Sequence, residues 1–109
     1  MNDFIQKNPE LHNRSDDIAD KLQAIANGNR LRILCHLAAG PLSVGEIEEF
    51  VGLSQSAVSQ HLAKLKRAQI VMSKNDAQTH YYFIEDTSIL SLISQMHQTF
   101  CEKGLEGLD

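Results

Sequence analysis

Two cysteines are the side chains of this 109-residue sequence best suited to covalent chemistry. Cys35 lies in the stretch RILCHL and Cys101 in the stretch QMHQTFC, each with a histidine close by in sequence, His36 and His97. A thiolate is a nucleophile and a soft-metal ligand. Two thiols can close a sulfur bridge, but they do not complete a four-cysteine zinc site. Free cysteines also serve as small buried hydrophobes, and Cys35 stands among apolar residues at helical spacing. Both readings are open at this point. A second kind of chemistry belongs to residues 54–68, where Gln55, Ser56, Ser59, Gln60 and Lys64 fall on one helical face. Short hydroxyls let a backbone approach a base edge or a phosphate. Glutamine pairs bidentately with adenine, and lysine neutralises phosphate. No CxxC pair, nucleophile–base–orienter set or phosphate-cradling glycine loop is present, which argues against an enzyme.

Bulk composition bounds the class. The length suits one domain, and 42% hydrophobic with 22% charged residues is a globular balance. No apolar run approaches the ~20 residues a membrane span requires. The start, MNDFIQKNPEL, lacks the basic and apolar regions of a secretory signal, so a cytoplasmic protein without a membrane partner is expected. In that reducing setting a structural disulfide is not expected. The net charge of −4 at first opposes a nucleic-acid partner, but distribution matters more than the sum. From Phe50 to Asn75 there is no acid, while Lys64, Lys66, Arg67 and Lys74 lie in that stretch. One basic face on an acidic body is the result.

The elements that must position these groups are mostly helical. Residues 1–14 are polar, contain Pro9 and show no period, so a flexible or loosely docked arm is expected. Ser15 offers an N-cap, and Ile18, Leu22, Ile25 and Ala26 form an apolar stripe. A second helix starts at a cap on Asn27 or Asn29, carries Leu31, Leu34, Cys35 and Ala38 on one face, and stops at Gly40-Pro41. SVGE (43–46) fits a capping box, starting a short helix that sends Ile47, Phe50 and Val51 inward and ends at Gly52. Ser54 then caps a helix to about Ala68 with Val58, Leu62 and Leu65 inward. A short helix, a tight turn and a longer helix make a helix-turn-helix. The runs IVMSK (70–74) and THYYFI (79–84) read as a hairpin, or wing. Asp86 or Thr87 caps a last amphipathic helix with Ile89, Leu92, Ile93, Met96 and Phe100 on one face, fraying at Gly104; a flexible tail, 104–109, follows. The fold expected is mainly α, about five helices with a two-stranded wing over residues 15–103. His61 falls beside the core edge and reads as a satisfied interfacial histidine.

The stretch ANGNRLRILCHLAAGPLSVGEIEEFVGLSQSAVSQHLAKLKRAQIV (26–71), with the wing after it, resembles the ArsR-type winged-helix repressors. The resemblance runs from about residue 18 to 103 and is strongest in LSQSAVSQHLAKL. It implies a homodimer joined through the first and last helices, with Ile18, Leu22, Ile89, Ile93, Met96 and Phe100 as interface residues. It also implies double-stranded operator DNA as partner, with two recognition helices in successive major grooves about 34 Å apart. The DNA-contacting set is then Gln55, Ser56, Ser59, Gln60, Lys64, Lys66, Arg67 and Lys74.

Many relatives of this type sense metals, but the cysteine pair that one class carries in the short helix is absent from LSVGEI. His97 and Cys101 could share a soft metal such as zinc only with further ligands, Cys35 or His36. No metal or other cofactor is therefore assigned. RLRILCHL together with QMHQTFC instead resembles the BigR, SqrR and HlyU type, the sulfide- and persulfide-responsive branch. That resemblance implies Cys35 and Cys101 as a sensor dithiol within one subunit, bridged by sulfur when a persulfide or polysulfide acts as inducer. His97, and less so His36, would tune the thiols, because His36 projects about 100° away from Cys35 on the helix. The reduced form would bind DNA and repress; a metal-responsive or peroxide-responsive repressor of the same fold is the alternative. Packed helices lie about 8–10 Å apart, whereas a disulfide needs Cα atoms within about 7 Å, so a longer sulfur bridge is favoured. Two departures from the family pattern stand out. Gln69 occupies a position usually held by glycine after the recognition helix, and the wing tip NDAQ has neither glycine nor arginine.

Overall fold

The computed structural model describes residues 3–103; the expected tail over 104–109 lies outside the described residues. The expected five helices are α3 (Ser15–Ile25), α4 (Gly28–Leu37), α5 (Val44–Val51), α6 (Gln55–Arg67) and α7 (Thr87–His97). Two one-turn helices, α1 (Asp3–Lys7) and α2 (Pro9–Asn13), lie within the expected flexible or loosely docked arm over 1–14. Proline at the first position of α2 suits a helix start, and no residue of α2 is buried. Ser15 is not a cap. The chain is already helical before it, and its hydroxyl donates back to the Leu11 carbonyl.

Local signals set the next three boundaries. The Asn27 side chain accepts from the Arg30 amide and starts α4. Ser43 and Glu46 make the reciprocal capping box of α5, which leaves at Gly52 with φ 71°, a left-handed exit that glycine takes without strain. Ser54 accepts from the Ala57 amide and starts α6. Ile47, Val58, Leu62 and Leu65 then meet Ile33, Leu34 and Leu37 in one core. Phe50 is the exception to the expected inward set of α5: it is 55% exposed.

The sheet has three strands rather than the expected two, in the order β1–β3–β2, all antiparallel. β1 is only Leu42–Ser43, pairing Leu42 with Tyr82 and Ser43 with Tyr81. Two residues carry no alternation pattern, and their partner is distant in sequence. β2 (Met72–Asp76) and β3 (Thr79–Phe83) form the wing, joined by Ala77 and Gln78, with Ala77 at φ 58°. Ile70 and Val71, expected in the first wing strand, are fully buried ahead of it. Asp86 accepts from both the Ser88 amide and the Ser88 hydroxyl at the start of α7. The last helix does not continue as α-helix toward residue 104: Gln98–Lys103 winds as a π-helix.

Candidate nucleic-acid interface and thiol pocket

Burial of Val58, Leu62 and Leu65 fixes the rotation of α6. Gln55, Ser56, Ser59, Gln60 and Lys64 are all exposed on its other side, as the apolar stripe requires. Lys66 and Arg67 are also exposed, in the last turn of α6, and the Lys66 ammonium donates to the Ser73 hydroxyl of the wing at 2.8 Å. Lys74 stands 5.5 Å above the Phe83 ring, so the only Lys or Arg of the wing is held against its own sheet. The eight expected DNA-contacting residues thus fall on α6 and the adjoining wing.

Two cations that sequence reasoning missed hold α6 in place. The Lys21 ammonium donates to the Ala68 carbonyl at 3.0 Å, meeting the negative end of the α6 dipole. The Arg30 guanidinium donates to the Ala24 carbonyl, which is otherwise unpartnered at the end of α3, and its Nη1 lies 3.3 Å from His61 Nδ1. Burial, then Arg30, then Lys64 lower the His61 pKa, so the ring is neutral and accepts from Arg30. His61 is the satisfied interfacial histidine expected. Single basic residues within amphipathic helices carry no local signal of such bonds.

The two thiols are brought together. Cys35 and Cys101 are both free and both exposed in the protomer. They line one pocket of about 400 Å³ with Leu31, Ile93, Met96, His97 and Phe100. Of the two readings left open for Cys35, the exposed thiol and not the core filler is what the fold gives: the core face of α4 is Ile33, Leu34 and Leu37, one step round the helix. His97 shares the pocket, but its Nδ1 faces the Glu102 carboxylate at 3.2 Å. The wider winding of a π-helix brings residues five apart together, so Glu102 takes the place beside His97 that α-helical spacing would give to Cys101. His36 is not at the pocket; it stacks on Phe50 with ring centroids 4.7 Å apart. Among the described residues, no group of three or more His, Cys, Asp or Glu side chains is arranged to hold a metal ion.

The proposed interface residues divide into two sets. Ile18, Leu22 and Ile89 line a groove between α3 and α7 together with Ile25 and Leu92. Ile93, Met96 and Phe100 line the thiol pocket, and Ile89 and Ile93 are buried within the protomer.

Comparison with known proteins places this arrangement. Residues 27–73 match the family described as bacterial regulatory protein, arsR family. The chain is 41% identical to the transcriptional activator HlyU of Vibrio cholerae over 93 residues, covering 85% of this chain and 86% of that protein. The chain belongs to the arsR family. The transcriptional repressor BigR from Xylella fastidiosa superposes with a TM-score of 0.80 at 27% identity, over 85% of this chain and 95% of that one. A homodimeric winged helix-turn-helix DNA-binding domain from Mycobacterium bovis superposes with a TM-score of 0.76 at 30% identity, over 84% of each chain. This arsR-family chain is therefore a winged helix-turn-helix transcriptional regulator. No helix among the described residues is long and apolar enough to cross a membrane.

Proposed function

We propose that this chain is a homodimeric repressor whose grip on operator DNA is released when Cys35 and Cys101 are joined by sulfur. The observation that supports the reading is the shared pocket, which opens both thiols to the same small molecule. DNA is held through the exposed face of α6, with Gln55, Ser56, Ser59 and Gln60 near base edges and Lys64, Lys66, Arg67 and Lys74 near phosphates. Two copies related by a two-fold axis would set their recognition helices about 34 Å apart. The groove between α3 and α7 supplies the exposed apolar surface for that pairing, with Leu22 47% exposed.

The sulfur chemistry balances with a persulfide, RSSH, as the only co-reactant. One cysteine thiolate attacks the outer, sulfane sulfur of RSSH, and the organic group leaves as the thiol RSH. The protein persulfide takes a second sulfane sulfur in the same way, releasing a second RSH. The other cysteine then attacks the middle sulfur of the resulting chain, and hydrogen sulfide leaves. Two thiols and two RSSH give one trisulfide bridge, two RSH and one H₂S. The thiols are oxidised by two electrons, which reduce the sulfane sulfur that departs. A bridge from α4 to the π-helical end of the last helix pulls on the element that also borders the α3–α7 groove. A coupling of about 1–3 kcal/mol lowers operator affinity roughly 5–150-fold.

The test begins with a duplex selected from random sequence by the reduced protein. Its affinity is measured by fluorescence anisotropy before persulfide, after persulfide and after reduction by dithiothreitol. The proposal expects a loss of at least fivefold that dithiothreitol restores. Unchanged affinity, with the bridge verified by intact mass, overturns it.

A further inference from the structure

From the chemistry of the pocket walls we infer that the thiol pocket is a binding site for a neutral, apolar organic group, and that it selects sulfane-sulfur donors carrying an alkyl or aryl substituent. This rests on the sulfur-responsive reading above and names the donor class. Leu31, Ile93, Met96 and Phe100 surround the two thiols, and among the described residues His97 is the one other polar side chain in the lining. Among the described residues no Lys or Arg lines the pocket. The His97 Nδ1 lies 3.2 Å from the Glu102 carboxylate, so the polar edge of the site already carries an acidic group that an incoming anion would meet. A peptide persulfide with free carboxylates would have to shed water against carbon and approach Glu102. An alkyl or aryl persulfide meets neither obstacle.

Size agrees with a small organic ligand. The volume of about 400 Å³ falls in the range of small-molecule sites, which are mostly apolar with a few placed polar groups. Here the placed polar groups are the two reacting thiols. Each methylene moved from water into such walls strengthens binding by about fourfold. The donor's organic group occupies the carbon-lined space while a cysteine thiolate attacks its sulfane sulfur, and it departs as RSH, leaving the sulfur on the protein. Phe100 is 57% exposed, which places a large apolar ring at the mouth of the site.

The experiment uses the full chain in its reduced form. Ethyl, hexyl and glutathione persulfides are compared at equal concentration, and sulfur transfer to the protein is followed by intact mass. Hexyl persulfide, four methylenes longer than ethyl, is expected to react at least tenfold faster than glutathione persulfide and, below saturation, on the order of 100-fold faster than ethyl persulfide. Phe100→Ser, which removes an apolar wall of the site, should shrink the ratio of the hexyl to the ethyl rate. In parallel, hexyl methyl sulfide, which cannot transfer sulfur, is titrated against the Cys35→Ser/Cys101→Ser variant. The Met96 methyl signal in NMR spectra reports occupancy and should shift to saturation. Equal rates for hexyl and glutathione persulfides, or no shift of the Met96 methyl, overturns the apolar-site inference. If neither persulfide modifies the thiols while the Met96 methyl shifts, the sulfur reading fails and the site stands as a non-covalent apolar site.

Discussion

At the scale of single residues, Cys35 shows how helical phase limits what a sequence tells. Leu31, Leu34, Cys35 and Ala38 form as good a stripe as Ile33, Leu34 and Leu37, and both pass through Leu34. Which stripe meets the core depends on where α5 and α6 pack, and no local residue pattern states that. Its apolar neighbours left filler and reactive thiol equally open for Cys35, and the fold makes it an exposed thiol on a pocket wall. Cys101 and His97 were displaced for another reason: the π-helical winding after His97 changes which residues stack, and α-helical spacing does not foresee it. Gln69 was legible in part. It follows α6 at a position where the family resemblance implied glycine, and it holds φ 62°. A side chain in that region costs about 1–2 kcal/mol. Gln69→Gly should therefore raise the melting temperature by about 4–8 °C at fixed protein concentration. Differential scanning calorimetry checks this, and an unchanged or lower value contradicts the strain.

At the scale of elements, α5 and α6 were readable because their signals are local. The Ser43–Glu46 capping box, the Gly52 exit and the Ser54 cap each sit within a few residues of the boundary they set. β1 was not readable, since its partners Tyr81 and Tyr82 are far along the chain. The Arg30–His61 contact likewise joins two helices whose sequences are unremarkable alone. Its consequence is a pH dependence with a definite sign. The folded protein holds the His61 pKa below its ordinary value of roughly 6.5. Between the folded and unfolded values the unfolded chain binds more protons, so this contribution is intact above about 6.5 and is lost as pH falls toward the folded value. Melting temperature measured from pH 8 to 5 should decline more steeply for wild type than for His61→Gln, whose side-chain oxygen accepts from Arg30 without titrating. Parallel curves would show that the contact does not favour the neutral ring.

At the scale of the whole molecule, an acidic chain carries four of its ten Lys and Arg residues, Lys64, Lys66, Arg67 and Lys74, on α6 and the wing with no acid on α6, while an apolar stripe lies between α3 and α7. Charge segregation was legible from the acid-free stretch before Asp76, and the winged helix-turn-helix order followed from the caps and glycines. The division of the last helix between a groove and a thiol pocket was not, because an amphipathic helix reports that it has an apolar face and not how many neighbours share it. If two copies pair through the groove, Leu22→Glu removes an apolar contact there and puts a carboxylate against the apolar surface of the partner. It should yield folded monomers by size-exclusion chromatography with light scattering, since Leu22 is 47% exposed in the protomer. A Leu22→Glu protein that remains dimeric would move the interface elsewhere. The central claim is that two thiols on one pocket control DNA binding. Its most direct test is the operator affinity of wild type, Cys35→Ser and Cys101→Ser with and without persulfide. Both variants should bind DNA like reduced wild type and keep that affinity, within twofold, after a persulfide treatment that weakens wild type at least fivefold. A full response from either serine variant would contradict the account.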